Sequence, residues 1–511
     1  MLVKVLSAAH CGLDTIGIVV EINMAARGLP VFDIVGLPSK AVAESKERVR
    51  TAILNSDIEF PQRRIIVNLA PADLPKEGSC YDLPIAVGVV SMVMNFEVPK
   101  DSLFFGELSL EGTVRHTKGT LLAALYAREE GIKNIFVPQD SANEAAVVDG
   151  ISVFGVKNLN QLLAHILGQV LIAPAQYKDN KPALNHDAEF DMSEIAGQTQ
   201  AKRAIEIAAA GGHNCLMVGS PGAGKTMLAR ALAGILPMLT ERESLEVTKI
   251  YSVAGRIAAG GSLVKLRPFR SPHHTISQAG ITGGGSIPQP GEISLAHRGV
   301  LFLDEFNEFP RSVVEALRQP MEDGTLTISR SREQVSYPSR FMLVASANPC
   351  PCGYLRHPSR ACVCSAREVE KYRKRISGPI LDRIDLHVDV PVVDVEELAR
   401  NAEMKKLQES SFAIRERVIR ARRLQDTRFA DDTICANAEM KNRHIGKYCR
   451  LSPQAKQILL RSSSRFALSA RSYFKVIKVA RTIADLVSEK EISCEHIAEA
   501  LRYRPKLKEE L

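Results

Sequence analysis

A glycine-rich octapeptide is the part of the sequence whose residue types point most directly to chemistry. It consists of Gly219, Ser220, Pro221, Gly222, Ala223, Gly224, Lys225 and Thr226, in the pattern G-x-x-x-x-G-K-T. Apolar residues 215–218 precede it and a helix-forming run follows at 227–233, so a strand, a phosphate-binding loop and a helix are predicted. Backbone N–H groups of such a loop surround phosphates. We expect Lys225 to contact the β- and γ-phosphates of ATP and Thr226 to bind Mg²⁺.

Two acidic residues and one amide follow further apolar runs. Residues 299–303 lead to Asp304 and Glu305, which is typical of P-loop proteins that hydrolyse ATP. We expect Asp304 to order the Mg²⁺ shell and Glu305 to polarise the attacking water. Residues 341–345 lead to Asn348, whose amide is expected to orient the same water. The alternative for the two acids is that they only cap the helix that follows.

Three arginines that lie far from the P-loop in the sequence are candidates for contact with the phosphates. Arg383 precedes a further apolar run, and we expect it at a subunit edge, where it would contact the nucleotide of a neighbouring copy. Such an arginine raises the hydrolysis rate by roughly 10³–10⁵. Arg375 is the rival candidate, and an ordinary surface ion pair is the alternative for Arg383. Arg471 opens a predicted helix, from which it is expected to sense bound phosphate.

The elements that position these residues divide the chain into four segments. Residues 1–170 predict an α/β domain, with strands at 17–22, 64–69 and 135–137 and helices at 41–54 and 120–130. Residues 171–189 carry prolines and polar residues without periodicity and predict a linker. Residues 190–395 predict a P-loop α/β core with a parallel sheet, and residues 396–511 a helical lid. A chain of 511 residues is too long for one core, in agreement with several domains.

The composition is that of an ordinary globular protein, with 45% apolar and 24% charged residues. The longest nearly apolar run, residues 83–96, is shorter than the roughly 20 residues that cross a bilayer. The N-terminus has no charged leader followed by an apolar core, so no secretory signal is predicted. We therefore expect a cytoplasmic protein whose ten cysteines stay reduced.

Positive charge is concentrated near the C-terminus. The net charge is +8, and residues 441–484 contain eleven Lys or Arg and no Asp or Glu. On the predicted helix, Arg471, Lys475, Lys478 and Arg481 form a basic stripe, while apolar residues mark another face. This distribution permits contact with a polyanion such as nucleic acid. A solvated surface is the alternative.

Four of the cysteines form two C-x-C pairs separated by nine residues. They are Cys350, Cys352, Cys362 and Cys364. Four thiolates suit a tetrahedral structural zinc site, although the one-residue spacing is tighter than usual. Four reduced cysteines on a flexible loop are the alternative. His273 and His274 are expected to form structural hydrogen bonds rather than to bind metal.

The ordered set of P-loop, acidic strand, Asn348, Arg383 and Arg471 resembles the AAA+ superfamily. Longer strings are similar to the magnesium-chelatase-like ComM/YifB family, and the match covers nearly the whole chain. These strings are VGLP (35–38), ESKERVR (44–50), RPFRSPHH (267–274), PGEISLAH (290–297), SANP (346–349) and SGPILDR (377–383).

This resemblance implies a Lon-protease-like N-terminal fold, a hexameric AAA+ core that uses ATP and Mg²⁺, and a helical lid. For ComM-type members it also implies branch migration of DNA in homologous recombination and natural transformation. DNA, bound independently of its sequence, and recombination proteins are then the expected partners. A metal-insertion chaperone, as in magnesium chelatase, and an AAA+ protease are the alternatives.

Residues 325–337 predict a β-hairpin, since two alternating runs flank a polar tip. In related motors a hairpin at this point projects into the pore of the ring. Arg330 and Arg332 at the tip are the candidate DNA-binding residues, through contacts with phosphates. A surface hairpin with solvated arginines is the alternative. The glycine-rich stretch 280–285 is expected to form a second mobile pore loop.

A Lon-like fold raises the question of a serine–lysine peptidase. In an alignment with Lon, Tyr81 falls at the serine position and Leu121 at the lysine position, with Ser79 and Lys118 nearby. Without a hydroxyl held against a neutral amine there is no activated nucleophile. A non-catalytic N-terminal domain is therefore predicted.

Overall fold

The structure is a computed structural model that describes residues 2–26, 29–178, 189–285, 288–329, 334–393 and 408–505. The strands are β1 (Leu2–Cys11), β2 (Asp14–Met24), β3 (Val31–Val35), β4 (Arg64–Ala70), β5 (Ser102–Phe104), β6 (Glu107–Leu108), β7 (Val114–Arg115), β8 (Asn134–Pro138), β9 (Ser152–Val156), β10 (Cys215–Val218), β11 (Phe269–Arg270), β12 (Gly283–Gly284), β13 (Gln289–Pro290), β14 (Val300–Leu303), β15 (Thr325–Ser329), β16 (Gln334–Pro338), β17 (Met342–Ala347) and β18 (Leu386–Asp389).

The helices alternate with these strands and then take over the C-terminal part of the chain. They are α1 (Lys40–Ala43), α2 (Ser45–Leu54), α3 (Asp82–Met94), α4 (Thr120–Glu129), α5 (Ala142–Ala145), α6 (Leu159–Ile166), α7 (Thr199–Gly211), α8 (Lys225–Ile235), α9 (Glu241–Val253), α10 (Gln278–Thr282), α11 (Glu292–Leu295), α12 (Arg311–Ala316), α13 (Arg318–Asp323), α14 (Ala366–Arg373), α15 (Gly378–Leu381), α16 (Ser411–Arg428), α17 (Asn442–Tyr448), α18 (Pro453–Arg465), α19 (Ala470–Leu486) and α20 (Cys494–Arg502). Short 3-10 turns occupy Gln139–Ser141, Met192–Glu194, Phe306–Glu308 and Asn437–Glu439.

The N-terminal part is built on a mixed seven-stranded sheet in the order β3-β4-β2-β1-β5-β8-β9. Strands β1 and β2 form an antiparallel hairpin, whereas β5, β8 and β9 pair in parallel. The long apolar run of the sequence forms α3, which is almost entirely buried and packs on β1 and β2. The predicted α/β character is confirmed. The predicted helix at 41–54 is divided at Glu44 into α1 and α2.

A buried ion pair fixes the start of α3. Arg48 of α2 donates from Nε to Asp82 Oδ2 at 2.8 Å and from a terminal nitrogen to Oδ1 at 3.1 Å. Burial raises the pKa of Asp82, and the Arg48 guanidinium counteracts that rise. Arg48 belongs to the string 44–50, so this part of the sequence pattern has a packing role.

The second sheet is parallel throughout and has the order β11-β14-β17-β10-β18. Its three central strands, β14, β17 and β10, are almost entirely buried, as is usual for parallel sheets covered by helices. Strand β10 lies between β17 and β18, so the chain reverses its direction across the sheet there. Ligands of open α/β sheets bind outside the carboxyl ends of the strands at such a point.

The C-terminal part is helical, as predicted, and its helices share a core with α7, α8 and β10. Arg428 of α16 and Asp485 of α19 form a buried pair at its centre, with nitrogen–oxygen distances of 2.5 and 2.8 Å. Asn437 donates to the same carboxylate at 2.8 Å. These helices are therefore tied together by polar contacts as well as by apolar packing.

The predicted basic stripe on α19 is not a free surface, which corrects the interpretation from sequence. Lys475 donates to the carbonyl of Ile384 at 2.7 Å, and Lys478 to that of Ala438 at 2.9 Å. Arg481 is 1% exposed and donates to Asp485 at 3.1 Å. Helical periodicity identified the face but not the carbonyls that cover it. Of the four residues only Arg471 is exposed.

The N-terminal part contacts two elements that lie outside its own sheet, helix α9 and the hairpin β15–β16. Ser252 of α9 donates to the buried Glu144 carboxylate at 2.5 Å, and the N–H of Gly119 donates to the Ser252 carbonyl at 3.1 Å. The second contact joins the hairpin β15–β16 to the β1–β2 turn. Among the residues that the structure describes, no helix combines the length and apolarity that crossing a membrane requires.

Candidate functional site

The P-loop lies at the carboxyl end of β10 and leads directly into α8. Gly224 has a φ of 87°, a left-handed conformation that glycine adopts without strain. A Cβ on Gly219 would lie 2.2 Å from the carbonyl oxygen of Val390, so no side chain fits there. The first turn of α8 then begins at Lys225. Loop and helix N-terminus together form the arrangement that binds phosphate.

Lys225 is buried within its own loop. Its Nζ donates to the carbonyls of Gly219 and Ser220 at 2.5 and 2.9 Å. It also donates to Oδ1 of Asn348 at 3.2 Å, which joins the end of β10 to the end of β17. Burial lowers the pKa of Lys225, and the nearby Asp304 and Glu305 carboxylates oppose that effect.

Thr226 and Asp304 present two oxygen groups side by side. The Thr226 hydroxyl donates to Asp304 Oδ2 at 2.8 Å, and Oδ1 of the same carboxylate accepts from the Ser346 hydroxyl and from the N–H of Glu305. Hydroxyl and carboxylate oxygens are ligands that Mg²⁺ prefers. The donor set therefore fits a magnesium ion held by Thr226 and Asp304.

Glu305 projects from a backbone in the left-handed region, with a φ of 53°. A non-glycine residue in that region is strained, and such strain is common at functional sites. Its Oε2 lies 3.5 Å from Nδ1 of His274. His273 instead pairs with the Thr275 hydroxyl at 2.9 Å. His274 is thus a contact of the candidate catalytic acid, a role that the sequence did not reveal.

Arg383 lies at the opposite edge of the sheet. Its carbonyl accepts from the side chain of Asn214 at 3.1 Å, and Asn214 directly precedes β10. Four strand residues at about 3.3 Å each separate that edge from the P-loop, roughly 13 Å in all. Arg383 is therefore remote from Lys225 of its own chain. A role of Arg383 toward a neighbouring copy stays a prediction.

The other two arginines have different surroundings. Arg471 lies beside Arg383, because both contact the carboxylate of Glu322. It is thus grouped with the amino edge of the sheet rather than with Lys225. Arg375 pairs with Glu308 at 2.8 Å, close behind the acidic strand.

The predicted hairpin is present as β15 and β16, paired from Thr325↔Pro338 to Ser329↔Gln334. Arg330 and Arg332 lie outside the described residues. One face of the hairpin is buried, because Ile328, Val335 and Tyr337 pack against Cys11 and Leu13 of the β1–β2 turn. The base of the hairpin is therefore part of the protein interior.

The glycine-rich stretch 280–285, for which a mobile pore loop was predicted, contains the end of α10 and strand β12. Ser277 caps α10 by accepting from the N–H of Gly280 at 3.1 Å. Gly283 and Gly284 then form β12, which pairs with β13. A Cβ on Gly283 would lie 2.2 Å from the carbonyl oxygen of Gln289, so glycine is needed for close strand approach rather than for mobility.

The four clustered cysteines come together as a compact group. Their Sγ atoms all lie within 4.8 Å of one another, and those of Cys350, Cys352 and Cys362 are 3.4, 3.6 and 3.7 Å apart. Thiolates about 2.3 Å from a tetrahedral zinc are separated by roughly 3.8 Å. Hydrogen bonds from the backbone N–H groups of Tyr354 and Val363 lower the pKa of Cys352 to about 6. The residues present therefore fit zinc.

This cysteine group also contacts the P-loop. Gly353 follows Cys352 with a φ of 83°, and a Cβ there would lie 2.6 Å from Cδ of Pro221. Asn348 precedes the first cysteine by two residues. The cluster is thus built into the support of the nucleotide loop.

The residues at the Lon positions are not arranged for peptidase chemistry. Tyr81 and Leu121 are fully buried. The Ser79 hydroxyl donates to the Glu107 carboxylate rather than to an amine. The Lys118 side chain covers Gly255, whose Cβ would lie 2.5 Å from Cε of that lysine.

Several residues that support the site had no motif of their own. Ser346 orients Asp304, and the signal was present only as the string 346–349. Gln198 donates to the carbonyls of Ala223 and Pro391 at 3.2 and 2.5 Å, which braces the P-loop against the chain after β18. Glu322, which both amino-edge arginines contact, gave no signal in the sequence.

Matches to known protein families and to individual relatives extend over almost the whole chain. Three family models match. The model of magnesium chelatase, subunit ChlI, matches residues 191–398. The model of subunit ChlI of Mg-chelatase matches residues 20–141, and that of the C-terminal part of magnesium chelatase subunit ChlI matches residues 408–504. The chain is 39% identical over 504 residues to the competence protein ComM of Haemophilus influenzae, covering 98% of this chain and 97% of that protein. It is 39% identical over 498 residues to YifB of Escherichia coli, covering 97% and 96%. A magnesium-chelatase 38 kDa subunit of Cereibacter sphaeroides is 28% identical over 31% of this chain and 53% of its own length.

Proposed function

The chain belongs to the magnesium-chelatase-like ComM/YifB family of AAA+ proteins, and on that premise we propose that it is an ATP-driven, ring-forming DNA motor. Its proposed task is branch migration in homologous recombination and natural transformation. The observation that carries the proposal is the meeting of Lys225, Thr226, Asp304 and Asn348 at one sheet edge, with Arg383 at the other.

The proposed hydrolysis uses the residues at the carboxyl edge. Lys225 binds the β- and γ-phosphates, while Thr226 and Asp304 hold Mg²⁺, which neutralises phosphate charge when bound. Glu305 polarises the attacking water, and Asn348 orients it. His274 keeps the Glu305 carboxylate in place, since the two lie 3.5 Å apart.

The proposed assembly follows from the remote position of Arg383. An arginine roughly 13 Å from its own P-loop serves catalysis when a second copy places its nucleotide against that edge. A closed ring repeats this contact between all neighbours. A hexamer is the proposed state because the resemblance to AAA+ motors implies one.

The proposed contact with DNA is made by the hairpin β15–β16. It lies in the chain between the strand that leads to Asp304 and the strand that leads to Asn348. Arg330 and Arg332 at its tip supply positive charge, and phosphate contacts are independent of base sequence. A motor that moves along arbitrary DNA requires contacts of this kind. The name of the relative, a competence protein, supports the same biological setting.

The test uses the purified full chain with a synthetic four-way junction, ATP and Mg²⁺. Lys225→Ala is expected to abolish both hydrolysis and junction processing. Arg330→Ala/Arg332→Ala is expected to abolish processing while hydrolysis persists. Arg128→Ala/Lys157→Ala removes the same two charges from exposed N-terminal positions and serves as the control. A parent that hydrolyses ATP robustly but leaves every junction intact would overturn the DNA motor.

A metal-insertion chaperone is the second candidate, favoured by the family models named after magnesium chelatase. The 38 kDa chelatase subunit, however, matches 31% of this chain, against 98% for ComM. ATP hydrolysis that responds to chelatase partner subunits and not to DNA would favour this candidate.

Two further roles belong to the proposal. The cysteine cluster is proposed to hold one structural zinc ion, because four sulfur ligands leave no position for water. The N-terminal part is proposed to be a Lon-like domain without peptidase activity, supported by the Ser79–Glu107 contact and the buried Tyr81. Degradation of casein by the purified chain would contradict the second role.

A further inference from the structure

We infer that Glu322 is a positioning residue that holds Arg383 and Arg471 together, and that it links their release to the hairpin β15–β16. The inference rests on the proposed function, because it takes Arg383 as a contact for the nucleotide of a neighbouring copy, and it extends that role to Arg471, which shares the same carboxylate. It adds a residue that connects this contact to the DNA-binding element.

The carboxylate of Glu322 is shared between the two arginines. One oxygen, Oε2, pairs with a terminal nitrogen of Arg383, and Oε1 lies 3.4 Å from a terminal nitrogen of Arg471. The other terminal nitrogen of Arg383 donates to the carbonyl of Pro379 at 2.7 Å. Its Nε is buried and has no hydrogen-bond partner among the described residues. Arg383 therefore retains donor capacity for a further acceptor.

Glu322 is also joined to the hairpin by a short stretch of backbone that hydrogen bonds hold in place. It lies in the last turn of α13, which ends at Asp323 and is capped by Gly324, and β15 begins at Thr325. The N–H of Gly324 donates to the Pro320 carbonyl at 3.0 Å, and its carbonyl accepts from the N–H of Ser339 at 2.8 Å. A displacement of Glu322 therefore reaches both strands at the hairpin base.

The lid helix is coupled to the same group. Lys475 lies one turn after Arg471 on α19 and donates to the carbonyl of Ile384 at 2.7 Å. Ile384 directly follows Arg383 in the chain. Arg471 and Arg383 are thus held on one unit, so an event that moves one arginine away from Glu322 also moves the other.

The contact of Glu322 with Arg471 is suited to exchange. The Glu322 side chain is 52% exposed, that of Arg471 is 44% exposed and that of Arg383 is 9% exposed. An exposed pair such as Glu322–Arg471 is weak and screened by salt. A phosphate group offers several anionic oxygens and binds arginine through stronger, charge-assisted hydrogen bonds. The γ-phosphate of a neighbouring copy can therefore displace Glu322 and release the hairpin base. After hydrolysis and loss of phosphate, Glu322 recaptures both arginines.

The test compares Glu322→Gln with the parent under the four-way junction assay. The amide keeps the size of the side chain but removes its charge, so the arginines are free for phosphate. We expect the KM for ATP to fall by about two- to fivefold, the ratio that corresponds to an exposed ion pair. The number of ATP molecules hydrolysed per processed junction is expected to rise several-fold, because hydrolysis no longer moves the hairpin.

Two variants separate this role from a structural one. Glu315→Gln removes another ion pair of the same region, to Arg318 at 3.1 Å, without touching either amino-edge arginine, and should behave as the parent. Glu322→Asp keeps the charge and should restore part of the coupling. Equal KM and equal ATP consumption in Glu322→Gln and the parent would overturn the inference. So would a loss of hydrolysis with a lowered unfolding temperature. If the parent itself fails to process junctions, the proposed function fails instead.

Discussion

The two edges of the parallel sheet are built in different ways. At the carboxyl edge, Gly219, Asp304 and Asn348 each follow the end of a strand, and the strand register brings them together. At the amino edge, Arg383, Arg471 and Glu322 come from three separate segments and meet only through tertiary packing. The first edge holds a nearly complete site within one chain. Among the described residues the second edge has no nucleotide loop, and in the proposed ring its arginines would therefore serve a neighbour.

The difference between the two edges is tested most directly by mixing a variant of each edge. Arg383→Ala should lower ATP hydrolysis by roughly 10³-fold or more while nucleotide binding persists. Lys225→Ala should lose binding as well. When the two inactive variants are mixed and allowed to reassemble, interfaces that combine an intact Lys225 with an intact Arg383 appear, and hydrolysis should partly return. If the mixture stays inactive although mixed rings form, Arg383 does not act on a neighbour.

Asn348→Ala examines the carboxyl edge alone. The amide accepts from Lys225 and is placed to orient water, so its loss should lower kcat by roughly 10²-fold. Nucleotide affinity should change little, because the loop itself stays intact. Steady-state kinetics together with titration of a fluorescent ATP analogue measure the two effects. A weakened affinity with unchanged kcat would instead make Asn348 a binding residue.

A variant of the cysteine cluster examines the support of the carboxyl edge. Cys352→Ser removes one of the four proposed zinc ligands, so it should lower zinc affinity by more than the roughly 10–100-fold that loss of an outer partner costs. It should also reduce kcat several-fold, because Gly353 would support Pro221 less firmly. Elemental analysis of the purified chain and the ATPase rate are the measurements. Cys494→Ser, at the start of α20 and outside the cluster, is the matched control. A chain that contains no zinc and shows parental activity would contradict this prediction.

The smallest effect concerns the ion pairs at the amino ends of β14 and β17. Glu246 contacts His297 and Arg298, and despite the opposing effect of burial these contacts lower the pKa of Glu246 to about 2. The pKa of Glu246 in the folded protein lies below that of an ordinary glutamate. The contacts of the Glu246 carboxylate therefore stabilise the folded state fully above about pH 4.5, and this stabilisation is lost as the pH falls toward 2. Glu246→Gln should therefore lower the free energy of unfolding by about 1–2 kcal/mol at pH 6, after allowance for solvent screening, and by less at pH 4.

Urea unfolding at the two pH values measures this difference. Glu241→Gln, exposed on the same helix, should leave the free energy of unfolding unchanged at both. A destabilisation of Glu246→Gln that is equal at pH 6 and pH 4 would contradict the assigned cause.

The sequence was sufficient where function depends on one strand and the residues that follow it. Lys225 was predicted from the glycine-rich motif, and Asp304 and Asn348 from their positions after apolar runs. A parallel sheet aligns the carboxyl ends of its strands, so these residues meet. It was insufficient where the partner of a side chain is remote. The basic stripe on α19 was misread because periodicity does not show that the Ile384 and Ala438 carbonyls cover Lys475 and Lys478.

Other features could be predicted only in part from the sequence. The spacing of the cysteines left zinc open, and only the folded loop shows their sulfur atoms at suitable separations. The glycines at 283 and 284 suggested mobility, whereas they allow two strands to approach. Glu322 carries no motif, because its importance comes from two arginines more than sixty positions away in the chain.

The packing of the hairpin on the β1–β2 turn has a mechanical consequence. Gly12 of that turn approaches Val335 so closely that a Cβ would lie 2.2 Å from its Cγ1. A pull on the hairpin would therefore reach β1 and β2 of the seven-stranded sheet directly. In the proposed motor, the N-terminal sheet would share any force that acts on the hairpin.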